Sequence, residues 1–434
     1  MTLRNLITIF KQHGMITVLL LFMSLWASSQ DREYAQMWID SLAGPTYQGR
    51  GYTQNGALKA ASTIKDEMQR IGLSSISDEN GWFHHFTMPV NTFPNDLTIE
   101  VGNKLLMGGE DFVPQPGSGA FKGKALPVFL SISDIRKKGK VTRALRKTSG
   151  SGILVVDTFD RSDERSVECF ELIQRTFSGG AVVILAEDLT WSVSRAQMPY
   201  CMLRMKPSAF ELDQEIGIEV VPLFIEKYQG SNVVGYLPGN EKADSFILLT
   251  GHYDHLGGMG QTYIPGANDN ASGIAMILDM AKHLASEKDN RYSIVFIGFG
   301  GEEAGLVGSY HFVNELTDWL PADRIRFVVN MDLMGSGQEG IMAVNGKVFT
   351  EEFDLLKTLN ERKDYLTDVR ARGKASNSDH YFFSERGIPA FFFYLMGPYR
   401  HYHNVNDRPE NLILDEHYDR SFGLIMDFIA ELQK

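Results

Sequence analysis

Histidine and carboxylate side chains recur in this sequence at the ends of apolar runs, where an open α/β sheet would gather them. The run FILLTG ends at Gly251-His252-Tyr253-Asp254-His255, SIVFIGFG leads to Gly301-Glu302-Glu303, and RFVVNMD ends at Asp332. A fourth run, PAFFFYL, is followed within ten residues by His401, Tyr402 and His403, and Asp269 stands just before a helical stretch that starts near Ala271. Ligands of such sheets bind outside the carboxyl ends of the strands. Several carboxylates within a few ångströms raise one another's pKa unless a cation neutralises them. Imidazole with carboxylate suits Zn²⁺, with Mn²⁺ or Co²⁺ as substitutes. One ligand from each of five places exceeds the three of an ordinary catalytic zinc. It fits two ions roughly 3.5–4 Å apart that share a carboxylate, which is the chemistry of metal-assisted hydrolysis.

The elements that must position these residues are legible in the second half of the chain. From Asn232 onward, continuous apolar runs alternate with helical stretches: Ala271 to about Ser286, about Leu306 to Leu316, Phe353 to Glu361, and a closing helix from about Glu416 to Leu432. That alternation predicts an α/β fold, a mostly parallel or mixed sheet sandwiched by helices. Residues 31–90 read as helix-rich, with Ala60, Ile64, Met68 and Ile71 on one face of a helix over Ala57–Ile71. From about Asn91 to Leu237 short apolar runs alternate with Gly, Pro and Ser, which predicts a separate inserted β-rich domain over 91–236. The basic cluster Arg136–Arg146 within it reads as a solvated helix face.

Composition narrows the function classes. Of 434 residues, 43% are hydrophobic and 22% charged, enough for a sizeable core. The formal net charge of −12 argues against the basic surface that nucleic acid or an anionic membrane requires. Arg4 and Lys11, the apolar run MITVLLLFMSLW and then Ala27-Ser28-Ser29 predict an export signal over residues 1–29, with a mature chain that begins near Gln30, is secreted or periplasmic, and keeps no membrane span. Cys169 and Cys201, the only two cysteines, form no CxxC motif; they either pair in an exported chain or stay as buried thiols.

The segments GHYDHLG, PGANDNASG, GEEAGLVGS, NMDLMG and YHNVNDRPENL, in that order, resemble the metal-binding motifs of the M28 family of zinc peptidases. The resemblance spans residues 232–434 and extends more weakly over 31–90, around Gly49-Arg50. It implies a zinc exopeptidase-like fold with a catalytic domain over 237–434, whose N-terminal part is 30–90, and an insert placed where some relatives carry a protease-associated domain. It implies two Zn²⁺ per chain, one held by His252 and Asp332, the other by Glu303 and His403, with Asp269 bridging both. His403 is chosen over His401 because Tyr402-His403 followed by Asp407 matches the family's spacing. Glu302 would be the general base, and Asp254 would accept the ring N–H of His252 and fix its tautomer. Ser378-Asp379-His380 would bind substrate or brace the site, while His255, His311 and His380 would be surface or packing residues. The sequence departs from many relatives in His403-Asn404-Val405, where they have His-Thr-Pro, and in Arg408 after Asp407. Tyr381, Tyr399 and Tyr402 are the candidates for an oxyanion-stabilising tyrosine.

Plainer roles compete at single positions: a turn cap for Asp254, a helix N-cap for Asp269, a helix-start acid for Glu302. As a whole the pattern implies an aminopeptidase acting on peptides. A glutaminyl cyclase-like enzyme, a carboxypeptidase-type enzyme and a non-catalytic binding module on the same scaffold are the alternatives.

Overall fold

The computed structural model describes residues 31–75, 81–159, 161–316 and 320–434; the expected export signal lies outside the described residues. The apolar runs of the second half become β3 (Lys242–His252), β4 (Tyr292–Phe299), β5 (Ile325–Met331) and β8 (Ala390–Met396), hydrogen-bonded in the order β4-β3-β5-β8, all parallel. Antiparallel strands widen both flanks. On one, β2 (Leu223–Leu237) pairs with β4 and carries β1 (Phe83–Thr92) on its other side. On the other, β6 (Gly340–Val344) pairs with β8 and carries the short parallel β7 (Val369–Ala371). The sheet is therefore mixed, with a parallel centre.

Side-chain alternation loads both faces of that centre. Ile247, Leu249, Ile294, Phe296, Phe327, Val329, Phe391 and Phe393 pack under α1 (Arg32–Leu42), α2 (Gly56–Ile71), α3 (Ser272–Glu287), α5 (Thr350–Lys363) and α7 (Glu416–Leu432). Leu248, Val295, Ile297 and Val328 pack on the opposite face against Phe312 of α4 (Val307–Asn314) and Phe383 of α6 (His380–Glu385). Each such side chain contributes about 1.5–3 kcal/mol by leaving water, which is why strands buried on both faces read as unbroken apolar runs. In α2 the buried positions Ala60, Ile64 and Met68 fall four apart, as the helical period requires.

The stretch between β1 and β2 folds on its own small sheets. One has five strands, ordered Phe112–Pro114, Cys201–Met205, Ala181–Leu185, Ile153–Val156, Val128–Leu130, with helices Lys138–Thr148 and Glu164–Thr176 packed on it. The other has four short antiparallel strands. The insert is thus built on two β-sheets, with helices packed on the larger one. Its limits differ from 91–236, because Thr92 pairs with Leu223 and all of β2 belongs to the main sheet. The strands of β2 and of the insert have the same texture; only pairing separates them. Helix Lys138–Thr148 buries Val141, Ala144 and Thr148 and turns its basic residues to solvent. Cys169 and Cys201 are both buried free thiols. Among the described residues no helix is long and apolar enough to cross a membrane.

Candidate metal centre

The carboxyl ends of β3, β4 and β5 deliver their residues to one place. His252 is the last residue of β3, Asp332 follows β5, and Glu302 and Glu303 follow β4 across a tight turn. Gly301 makes that turn with φ +72°, a backbone that side chains rarely adopt. Asp269 sits ahead of α3, in a loop entered through Gly266 at φ +67°, where a Cβ would stand 2.4 Å from the His255 ring. The loop after β8 brings in His403, itself at φ +54°, a strained backbone of the kind found at functional sites.

The shared carboxylate is Asp269. Its Oδ1 lies 3.3 Å from His252 Nε2 and its Oδ2 lies 3.1 Å from His403 Nε2. His252 Nε2 is also 3.3 Å from Asp332 Oδ1, and His403 Nε2 is 3.4 Å from Glu303 Oε2. Two donors each about 2.1 Å from one tetrahedral zinc stand roughly 3.4 Å apart, so these separations suit atoms that share an ion better than atoms that share a proton. His252, Asp269 and Asp332 place their ligand atoms within 4.8 Å of one another. Asp332 Oδ1 is buried and has no hydrogen-bond partner, an arrangement costly for a carboxylate unless a cation faces it. The residues present fit a divalent-metal pair.

Electrostatics point the same way. Burial pulls the His252 imidazole down, yet Asp332, Glu302 and Asp269 outweigh it and hold the ring well above its usual range. Burial likewise opposes the charge on His403, but Glu303 and Asp269 raise its pKa to about 9. Burial, with the charges of Glu303, Asp379 and Asp332, pushes Glu302 well above the carboxylate range.

The surrounding groups orient these side chains. Both imidazoles donate their far N–H to a backbone carbonyl, His252 Nδ1 to Asp254 O and His403 Nδ1 to Trp191 O, each at 3.0 Å; this fixes Nε2 as the free nitrogen. The expectation that the Asp254 carboxylate takes the His252 proton is corrected: its main-chain carbonyl does. The carboxylate instead accepts from Tyr52 Oη at 2.7 Å and from the amides of Glu302 and Glu303 at 3.1 and 3.4 Å, because the β3 and β4 ends lie side by side. Ser378 Oγ donates to Asp332 Oδ2 at 3.1 Å and accepts from Asn330, so this segment braces the site. His380 is buried beside Phe392 without a polar partner. His255, expected at the surface or in packing, is fully buried in the centre with Nδ1 2.7 Å from Glu303 Oε1. His401 makes an edge contact with Tyr399 and is not among the clustered ligands. Tyr399 spends its hydroxyl on Asp407, whereas Tyr402 stacks on His403 at 3.8 Å.

Three further residues hold the centre through main-chain groups. Arg50 is fully buried and donates to five backbone carbonyls: Tyr253 (2.8 Å), Leu42 (2.9 Å), Pro265 (2.8 Å), Gly266 (2.8 Å) and Asp269 (3.1 Å). Asp407 accepts from the amides of Asn268 and Asp269, so the peptide units around Asp269 are clamped from both sides. Trp191, in the insert, makes two hydrogen bonds with His403: its main-chain N–H donates to His403 O at 2.8 Å, and its carbonyl accepts from the His403 ring. In the sequence Arg50 stands out only through the family resemblance around Gly49-Arg50 and Asp407 only through its spacing from His403, and no local pattern marks Trp191.

The chain is similar to known proteins in sequence over its second half and in fold over most of its length. The chain is 30% identical over 192 residues to aminopeptidase YwaD of Bacillus subtilis, covering 42% of this chain and 40% of that one. It is 27% identical over 261 residues to an aminopeptidase of Pseudomonas aeruginosa, covering 58% and 42%. The chain thus spans less than half the length of these relatives. In fold it is similar to the crystal structure of a zinc aminopeptidase from Bacillus subtilis, with a TM-score of 0.70 at 19% identity over 93% of this chain and 95% of that one. An aminopeptidase from an Aneurinibacillus strain gives 0.62 at 18% identity over 93% and 94%. Residues 232–429, a stretch that holds every strand end of the centre, match the description "Peptidase family M28".

Proposed function

We propose that this chain is an exported zinc exopeptidase that removes N-terminal residues from peptides, with two ions held by His252, Asp269, Glu303, Asp332 and His403. The observation that carries the reading is the near-constant 3.1–3.4 Å spacing of imidazole and carboxylate atoms on either side of Asp269. Bound Zn²⁺ supplies polarisation of the scissile carbonyl and a more acidic water. Glu302, beside His252 and outside the pairs that Asp269 joins, takes the proton of the attacking water and returns it to the leaving amine nitrogen. Asp254 holds the amides of Glu302 and Glu303 in place. Tyr402, lying on His403, is the tyrosine best placed to meet the oxyanion.

A site lined with carboxylates favours the free α-ammonium of a peptide. The basic side chains nearest the motifs are spent elsewhere: Lys374 on Glu385, Arg400 on the Gly397 carbonyl, Arg408 on the Val405 carbonyl. One observation favours cleavage from the carboxyl end: Arg204 of the insert lines a cavity of about 390 Å³ together with Thr190, Trp191, Tyr402 and His403. Incubation with an N-acetylated and a C-amidated copy of one peptide separates the two. Hydrolysis of the amidated copy alone is expected; hydrolysis of the acetylated copy alone overturns the amino-end reading. Export is checked by N-terminal sequencing of protein from the native host, which is expected to begin near Gln30.

A further inference from the structure

His255 shares the centre with the expected ligands yet differs from them in two measurable ways. The ligand pairs stand 3.1–3.4 Å apart, whereas His255 Nδ1 lies 2.7 Å from Glu303 Oε1. Two donors about 2.1 Å from one ion are no closer than roughly 3.0 Å even at a right angle. A separation of 2.7 Å is instead that of a charge-assisted hydrogen bond. Second, His252 and His403 each give their far ring N–H to a carbonyl, the signature of a metal-bound imidazole. The far nitrogen of His255, Nε2, is buried with no partner. The proton of this ring therefore belongs on Nδ1, between the ring and Glu303.

Resting on the dimetal reading above, we propose that His255 is a positioning residue that occupies Oε1 of Glu303 and leaves Oε2 alone to bind metal, making Glu303 a one-oxygen ligand. The division of labour is visible in the carboxylate: Oε1 faces His255, and Oε2 faces His403 at 3.4 Å. The ring has no freedom to do otherwise. It is fully buried, meets the His403 ring edge-on at 5.8 Å, and lies against the Gly266 turn. A chelating two-oxygen Glu303 would crowd the ion it shares with Asp269 and His403 and use a position that water or substrate needs. The sequence carries this device inside GHYDHLG, one residue beyond Asp254.

The test uses the full chain. Zn²⁺ stoichiometry and the two stepwise affinities are measured by competition titration for the wild type, His255→Leu and His255→Asn. Cobalt(II) is then loaded and its visible spectrum recorded. Asn places an amide N–H near the position of Nδ1 and has no imidazole. His255→Leu is expected to weaken the weaker-bound ion about 10–100-fold, the usual cost of losing such a partner, with the first ion retained. His255→Asn is expected to recover most of that loss with an unchanged cobalt spectrum. Two ions in wild type with unaltered affinities in His255→Leu would overturn the proposal alone. A cobalt spectrum that changes in His255→Asn while both ions stay bound would make His255 a ligand, and would overturn it too. Fewer than two ions in the wild type would sink the dimetal reading, and this proposal with it.

Discussion

Replacing Arg50 with lysine removes a charge-bearing fork without removing its charge, and the structure sets the size of the penalty. All five N–H groups of the guanidinium end on backbone carbonyls at 2.8–3.1 Å, and none of it reaches solvent. A lysine ammonium carries three N–H groups, so at least two of those buried carbonyls lose their partner. An unsatisfied buried polar group costs about 1–3 kcal/mol, so Arg50→Lys is expected to destabilise by roughly 2–6 kcal/mol. That is a large share of the 5–15 kcal/mol that typically holds a domain together. Two of the five carbonyls, Gly266 and Asp269, belong to the loop that carries Asp269, the proposed bridging ligand, so zinc affinity is expected to fall along with stability. Equilibrium urea unfolding, followed by tryptophan fluorescence with and without added Zn²⁺, measures both. A loss below about 1 kcal/mol with unchanged zinc affinity would refute the view that the fork, rather than the charge, organises these loops.

The remaining expectations concern the centre and one site far from it. Glu302→Gln is expected to keep near-normal metal content and lose about 10²–10⁴-fold in kcat. Glu303→Gln is expected to lose metal instead, so elemental analysis of the two neighbours tells base from ligand. Chelation should abolish activity and lower the melting temperature, with Zn²⁺ restoring both in proportion to occupancy; a melting temperature indifferent to chelator would contradict ligand-bound stabilisation. Asp279, buried in α3, has its pKa raised from 3.8 to about 6, chiefly by burial. A carboxyl raised on folding adds stability that is full below about pH 4 and lost as pH climbs past 6, so Asp279→Asn should gain up to about 3 kcal/mol at pH 8 and little at pH 4. Thermal melts at the two pH values that show equal shifts would count against it.

By itself the sequence determined the parallel centre of the sheet and the acids and imidazoles at its strand ends. Strands buried on both faces must be apolar throughout, and catalytic groups must follow them where the backbone leaves the sheet, so β3, β4, β5 and β8 and the residues His252, Glu302, Glu303 and Asp332 stand out in one dimension. The motif order extended this to Asp269 and His403. Tertiary structure decided what depends on partners distant in the chain. The extent of the insert follows from Thr92 meeting Leu223, a pairing that local texture does not record. Arg50 and Trp191 act through backbone carbonyls, which every residue possesses, so no side-chain pattern announces them. The role of Asp254 turned on whether its carboxylate or its carbonyl faced the His252 ring, a choice made by the packing of β3 against β4. His255 shows the same limit most sharply. The sequence places it next to Asp254, but only the tertiary structure sets its Nδ1 2.7 Å from Glu303, closer than the 3.1–3.4 Å that separate His403 from Asp269 and Glu303.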